Sequence, residues 1–430
     1  MPENNYHFET LALHAGQEPD PGSLARGVPV HRTASYVFKS TQHAANLFTL
    51  KELGNIYTRL MNPTTDILEQ RIAALEGGAA AVAVASGTAA IHYAIATLAR
   101  AGDEIVSANN LYGGTYTMFD AIFPAMGITT RFVKPHDLAA FESAINAKTR
   151  AVFIETIGNP VLDCTDISAI AGIAHRHAVP LVVDGTFTTP FLLRAIEHGA
   201  DIVINSLTKW IGGHGSAIGG IVVDSGKFDW KNANIPVFNE SDPNYHGLKW
   251  SLDLPAGLAP IAFALRLRLV PLRNLGACIS PDNAWIFLQG IETLPLRMVR
   301  HCENALAIAQ FLKNHPKVAW VRYPGLAGDP ANAIAARYLT KGFGGMVVFG
   351  LKGGYDAAVK VIDSIRLFSH LANVGDAKSL ILHPASTSHS QLSPEQQAAG
   401  GLTPDLIRLS IGLEHVNDLT AALSEAFSLI

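Results

Sequence analysis

The sequence predicts an α/β protein: a mostly parallel, doubly wound sheet domain followed by a smaller α+β domain. Three observations predict it. Short apolar runs alternate with helical patterns from about residue 79 to 209, the signature of parallel strands joined by crossover helices. The alternation stops after Asp224, where a polar, aromatic, turn-rich stretch runs from Lys227 to Pro260. Long helical patterns and then isolated strands follow. The chain has 430 residues, 48% hydrophobic and 16% charged, which suits a sheet covered on both faces or a large subunit interface. The expected organisation is an arm at 1–60, a sheet domain at 61–260 with an insertion at 225–260, and a C-terminal domain at 261–430.

Residues 1–60 are irregular, with Pro19, Pro21 and Pro29; an arm of that length lies across a partner chain or lines a site. Its Tyr57-Thr58-Arg59 reads as a turn with an exposed arginine or as a phosphate-binding pair. A helical pattern runs from Thr64 to Glu76, and the strand Ala79 to Ala85 then ends in Ser86-Gly87-Thr88 before an alanine-rich helix to Arg100. Strand, small residues and helix N-terminus make an anion cradle of backbone N–H groups; the same residues also serve as a simple N-cap.

Strand Glu104 to Ala108, helix Thr115 to Met126, strand Ile128 to Val133, helix Leu138 to Ile145, strand Ala151 to Glu155 and helix Ile167 to His177 continue the pattern. Ligands bind at the carboxyl ends of such strands. There, Tyr112 stands beside Gly113 and Gly114, and its ring either lies on a planar ligand or packs ordinarily. Asn159 offers a hydrogen-bond donor or forms a plain Asx-Pro turn.

The strand Pro180 to Thr186 carries Asp184, and a helix-like piece from Pro190 to His198 leads to Asp201-Ile202-Val203-Ile204-Asn205-Ser206-Leu207-Thr208-Lys209 and the glycines that follow. Strand, crossover and strand within about thirty residues form a right-handed parallel unit, so Asp184 and Lys209 reach one edge of the sheet. A lysine at a strand end is commonly a solvated surface residue. Among apolar and small neighbours it loses hydration, which disfavours the ammonium and leaves an amine able to attack a carbonyl. A carboxylate for a pyridine nitrogen, a lysine for an aldehyde and hydroxyls for a phosphate are what pyridoxal phosphate requires.

Helical patterns then run from Ile261 to Leu275 and from Pro281 to His315, with a break near Pro295. Strands Val318 to Tyr323 and Gly345 to Leu351, helix Tyr355 to Ile365, and strands Ser379 to Pro384 and Asp405 to Gly412 complete the chain. Arg408 sits inside the last, apolar strand and needs a partner, either a substrate carboxylate or an internal acid.

A net charge of −4 gives no basic field for nucleic acid or anionic membrane. The three cysteines are scattered without a CxxC pair, so buried thiols are expected rather than disulfides or zinc. Seventeen histidines include no HExxH. The glycines from Gly212 to Gly220 do not spell GxGxxG, which argues against a dinucleotide-binding dehydrogenase. With neither a leader pattern nor a long uncharged apolar run, the cytoplasm is expected.

Together, Ser206-x-Thr208-Lys209 with Asp184, Ser86-Gly87-Thr88, Tyr112-Gly113-Gly114-Thr115, Tyr57-Thr58-Arg59 and Arg408-Leu409-Ser410-Ile411-Gly412-Leu413-Glu414 resemble the Cys/Met-metabolism pyridoxal-phosphate enzymes over nearly the whole chain. The resemblance implies the fold of aspartate aminotransferases (fold type I) and a homotetramer built from dimers with shared sites. It implies that Lys209 forms the Schiff base with pyridoxal 5′-phosphate, Asp184 pairs with the pyridine nitrogen and Tyr112 stacks on the ring and assists as acid or base. Ser86, Gly87, Thr88, Ser206 and Thr208 would hold the phosphate, with Thr186 and Asn159 also touching the cofactor. Tyr57 and Arg59 would reach the phosphate of the neighbouring subunit, while Arg408, Ser379 and Asn159 would bind the substrate.

Within the family, Asp376-Ala377-Lys378-Ser379-Leu380 and the insertion look like the O-acetylhomoserine sulfhydrylases, which implies γ-replacement on a small-molecule substrate with sulfide or methanethiol in methionine and cysteine metabolism. Cystathionine γ-synthase, O-succinylhomoserine sulfhydrylase and methionine γ-lyase activities are alternatives, as is a non-catalytic binding protein on the same fold. Methionine γ-lyases carry a cysteine where Gly113 or Gly114 stands. Gly185 departs from relatives that have asparagine beside the aspartate.

Overall fold

The computed structural model describes residues 6–390, 393, 395, 397 and 401–430. Its larger sheet has seven strands in the order β1-β7-β6-β5-β4-β2-β3, formed by β1 (Ala80–Val84), β2 (Glu104–Ala108), β3 (Thr129–Val133), β4 (Thr149–Glu155), β5 (Leu181–Asp184), β6 (Ile202–Ser206) and β7 (Gly220–Asp224). Strands β3, β2, β4, β5 and β6 pair in parallel, and β7 alone runs antiparallel, against both β6 and β1. Helices cover both faces, so the inner strands bury both sides: every residue of β4 and of β7 is buried. The parallel register places Glu155 beside Asp184 and Asp184 beside Ile204, bringing three strand ends to one edge.

Strand β7 was hidden in the sequence among glycines. Its close contact with the turn after β1 explains Gly220: a Cβ there would lie 2.1 Å from the Ser86 carbonyl oxygen and 2.7 Å from the Gly87 nitrogen. Backbone cannot retreat as a side chain can. Gly220→Ala is therefore expected to cost about 1–3 kcal/mol, the scale of overpacking, and to displace the Ser86–Thr88 turn. A lowered melting temperature with weakened cofactor retention checks this.

The structure amends several expectations. Residues 1–60 are not wholly irregular: Phe8–His14 and Thr41–Phe48 are helical. Both are too short for periodicity to register, the first set by buried Phe8 and Ala12 and the second by Ser40, whose Oγ caps the His43 N–H at 3.1 Å. The Thr115–Met126 helix starts at Gly113 and passes through a π-helical turn at Met118–Ile122. A second π turn, Arg268–Leu272, contains Pro271, which has no N–H to donate. The Pro190–His198 crossover is only one short helix, Thr189–Leu192, and a 3₁₀ turn, Ala195–His198. Cys164 and Cys302 are buried, but Cys278 is exposed.

The stretch 225–260 is largely surface, but it sends its aromatic side chains into the packed interior. Trp230 stacks on Phe238 at 4.3 Å and on Phe263 at 5.7 Å between centroids. Buried Asp242 accepts from the Trp250 indole at 2.8 Å and pairs with Arg266 at 3.2 Å.

The smaller sheet has the order β10-β11-β12-β9-β8, with β8 (Val318–Arg322), β9 (Met346–Leu351), β10 (Ser369–His370), β11 (Leu380–Leu382) and β12 (Leu406–Ser410). Its core is shared with the helices Leu294–Lys313, Gly354–Ser364 and Val416–Ser428. No helix among the described residues is long and apolar enough to cross a membrane.

Candidate active site

A cavity of about 270 Å³ lies where the ends of β1, β4, β5 and β6 meet β12. Lys209 enters it from the turn after β6. Arg297, buried in the helix Leu294–Lys313, holds that turn: its guanidinium donates to the carbonyls of Trp210 (2.6 Å), Ile211 (3.1 Å) and Gly290 (2.6 Å) and to the Thr293 hydroxyl (3.1 Å). The Gly213 N–H closes the turn onto the Lys209 carbonyl at 2.7 Å. Burial, and then the positive charge of Arg408, lower the Lys209 amine to about 8. Its Nζ donates to Asn373 Oδ1 at 2.6 Å.

The amine is thus largely free base only above pH 8. Capture of an aldehyde by the cofactor-free chain is expected to quicken about tenfold per pH unit up to that point and then level off. An ordinary lysine continues to gain up to its usual 10.5, so stopped-flow absorbance against pH separates the two.

Asp184 and Glu155 form the floor. Burial raises both carboxyls, and Asp184 raises Glu155 further, well above its usual range. Their surroundings divide them: Asp184 receives hydrogen bonds from Thr186, whose N–H lies at 2.9 Å, whereas among the described residues Glu155 receives the Tyr112 N–H alone, at 2.7 Å. No cation is bonded to either side chain among the described residues, and because Glu155 is pushed higher, by burial and by the Asp184 charge, Asp184 is the more readily ionised of the two. An unpaired buried carboxylate suits a protonated ring nitrogen.

The opposite end suits a phosphate. Ser86 caps the helix Gly87–Leu98, its Oγ accepting the Ala89 N–H at 3.0 Å, and the first N–H groups of a helix have no partner within it. Gly87 lies so close to β6 that a Cβ would meet Ser206 Cβ at 2.6 Å. This contact brings the Ser206 hydroxyl to the cradle, while the Thr186 hydroxyl accepts the Ser206 N–H at 2.8 Å. The Thr88 and Ser206 hydroxyls line the cavity and have no hydrogen-bond partner among the described residues. Thr208 also lines it, exchanging hydrogen bonds with Gly219.

Arg408 reaches the cavity from β12. Its contacts are long and neutral, Asn159 Oδ1 at 3.3 Å and the Asn373 carbonyl at 3.5 Å, so no internal acid pairs with it among the described residues. Burial pulls it down to about 10. Tyr112, 47% exposed, covers the mouth.

Three candidates lie elsewhere. Tyr57 and Arg59 are exposed outside the cavity, the guanidinium 5.3 Å from the Tyr57 ring. Ser379 is fully buried away from it: its hydroxyl donates to Glu414 at 2.9 Å and accepts the Gly412 N–H at 2.8 Å. Both bonding directions of that hydroxyl are therefore used. Sequence reasoning missed Glu155 and Asn373, both of which line the cavity. Glu155 left a signal, a carboxyl closing an apolar strand just as Asp184 does; Asn373 lies in an irregular segment and left none.

The fold and this site define a pyridoxal-phosphate enzyme of fold type I. Comparison with known proteins agrees. The family model described as Cys/Met metabolism PLP-dependent enzyme matches residues 9–428. An O-acetyl-L-homoserine sulfhydrylase from Leptospira meyeri is 54% identical, covering 99% of this chain and 97% of its own. A homocysteine synthase from Schizosaccharomyces pombe is 50% identical, covering 99% of each. A Campylobacter jejuni crystal structure, described as an O-acetylhomoserine (thiol)-lyase with a pyridoxyl-lysine monophosphate, superposes with a TM-score of 0.95 at 42% identity, over 98% of this chain and all of that one. The chain belongs to the Cys/Met metabolism PLP-dependent enzymes, and its cofactor is pyridoxal 5′-phosphate.

Proposed function

We propose that this chain is an O-acetyl-L-homoserine sulfhydrylase, exchanging the acetate on Cγ for sulfide or methanethiol to give L-homocysteine or L-methionine. The observation that carries the reading is full-length likeness, at half identity or better, to a sulfhydrylase and a homocysteine synthase. Bound pyridoxal phosphate supplies an electron sink for the amino acid. Asp184 would keep the ring nitrogen protonated, and Tyr112, which lines the same cavity, would face the ring and assist proton transfer. Ser86, Gly87, Thr88, Ser206 and Thr208 bind the phosphate, with Thr186 and Asn159 at the cofactor's flank and Tyr57 and Arg59 serving the neighbouring subunit's site from the 1–60 arm of a homotetramer. Arg408 binds the substrate carboxylate beside Asn159, and Ser379 acts behind it through the β11–β12 backbone. Lys209 removes the Cα proton and relays protons at Cβ while acetate leaves Cγ and sulfide adds there. The chain works on small molecules, in the cytoplasm.

A γ-lyase is the second reading, and the Tyr112 loop disfavours it. A side chain at Gly113 would meet the Ser388 carbonyl oxygen at 2.7 Å, a backbone contact, and one at Gly114 would require the half-exposed Tyr112 ring to move, so a lyase-type cysteine is opposed at the first position and displaces the tyrosine at the second. Incubating the holoenzyme with O-acetyl-L-homoserine, with and without sulfide, tests both. Equal yields of homocysteine and acetate that depend on sulfide are expected; 2-oxobutanoate formed regardless of sulfide would make it a lyase. Running O-succinyl-L-homoserine and cysteine in parallel settles acyl group and nucleophile.

A further inference from the structure

We propose that Asn373 is the positioning residue that holds the Lys209 amine whenever that amine is not bonded to the cofactor, keeping it at the substrate end of the cavity to move protons. The inference rests on the proposed reaction only in requiring Lys209 as the proton carrier.

The geometry is specific. Asn373 Oδ1 accepts from Nζ at 2.6 Å, and the Asn373 carbonyl oxygen lies 3.5 Å from Arg408 Nη2. One residue thus stands between the lysine and the guanidinium assigned to the substrate carboxylate. Its segment is fastened on both sides. The Ala377 N–H donates to the Gly213 carbonyl of the lysine turn at 2.8 Å, and the Gly375 N–H donates to Ser410 Oγ of β12 at 2.9 Å. Gly375, at φ +77°, packs so tightly on the turn that a Cβ would lie 2.5 Å from the Trp210 nitrogen.

The chemistry fits the place. A proton carrier must change charge during turnover, so its holder must accept a hydrogen bond from both ammonium and amine. A neutral amide oxygen does this. A carboxylate there would favour the ammonium and oppose release of the proton. The other titratable groups lining the cavity are Arg408 from β12, Asp184 from β5, Glu155 from β4 and Tyr112 from the loop after β2, and none changes in the variants below.

The test compares Asn373→Ala and Asn373→Asp with the unaltered holoenzyme. Exchange of the Cα hydrogen of L-methionine with D₂O, followed by NMR, reads the lysine step without departure of acetate or addition of sulfide. Asn373→Ala is expected to keep visible absorbance, cofactor retention and melting temperature, to slow exchange about tenfold or more, and to change kcat far more than KM. In the full chain freed of cofactor, Asn373→Asp is expected to raise the pH midpoint of Lys209 acylation by about one unit, which a merely structural role would not do. Exchange within twofold of the unaltered enzyme in Asn373→Ala, an unmoved midpoint in Asn373→Asp, or loss of absorbance and melting temperature in both would overturn the assignment. Normal Cα exchange without homocysteine formation would instead overturn the sulfhydrylase reading and leave this one standing.

Discussion

Lys209→Ala is expected to lower homocysteine formation by at least about 10³-fold, the order supplied by a positioned proton carrier. The loss should appear in kcat rather than KM, because the phosphate cradle and Arg408 are intact. The variant should still take up pyridoxal phosphate, now released by dialysis, and borohydride treatment should leave its mass unchanged. Its thermal stability should not fall, since burial and the Arg408 charge already disfavour the charged form of this lysine. Activity within tenfold of the unaltered enzyme, or a borohydride-fixed adduct at another lysine, would overturn the role given to Lys209.

Arg408→Ala is the second large effect, and it separates binding from folding. A buried guanidinium without a carboxylate partner costs stability until substrate arrives. Removing it is expected to raise KM for O-acetyl-L-homoserine on the order of 10²–10³-fold, as for loss of one member of a buried hydrogen-bonded charge pair. The melting temperature of the substrate-free enzyme should hold or rise. Arg408→Lys should not restore KM, because a point charge cannot make the paired contacts of a planar guanidinium. A KM within a fewfold of the original in Arg408→Ala would move the carboxylate site elsewhere.

The parallel half of the larger sheet was legible because buried parallel strands are continuous apolar runs with short connections, as β4, β5 and β6 illustrate. The same rule brings Asp184 and Lys209 to one edge. Strand β7 was not legible. It begins at a glycine chosen for contact with Ser86, and nothing local distinguishes that from the end of the lysine loop. The helices Phe8–His14 and Thr41–Phe48 are too short for a period of 3.6 to register. Arg408 showed itself as a charge inside an apolar strand, whereas Asn373 is set by backbone hydrogen bonds that composition does not encode. Ser379 illustrates the reverse: a plausible polar residue in a recognisable motif whose hydroxyl is spent on Glu414 and Gly412.

Arg297 joins parts of the chain that sequence places far apart. It comes from the long helix that also packs against the smaller sheet, yet its donors end on the turn that carries the lysine. The two cores are therefore expected to melt together once that arginine is in place: opening the smaller one exposes three strong acceptors in the larger. Calorimetry should record one endotherm for the cofactor-free chain. In hydrogen exchange, the amides of Gly212 and Gly213, bonded to Leu207 and Lys209, should be released only with global unfolding, leaving the half-exposed Tyr112 loop as the part of the site that breathes.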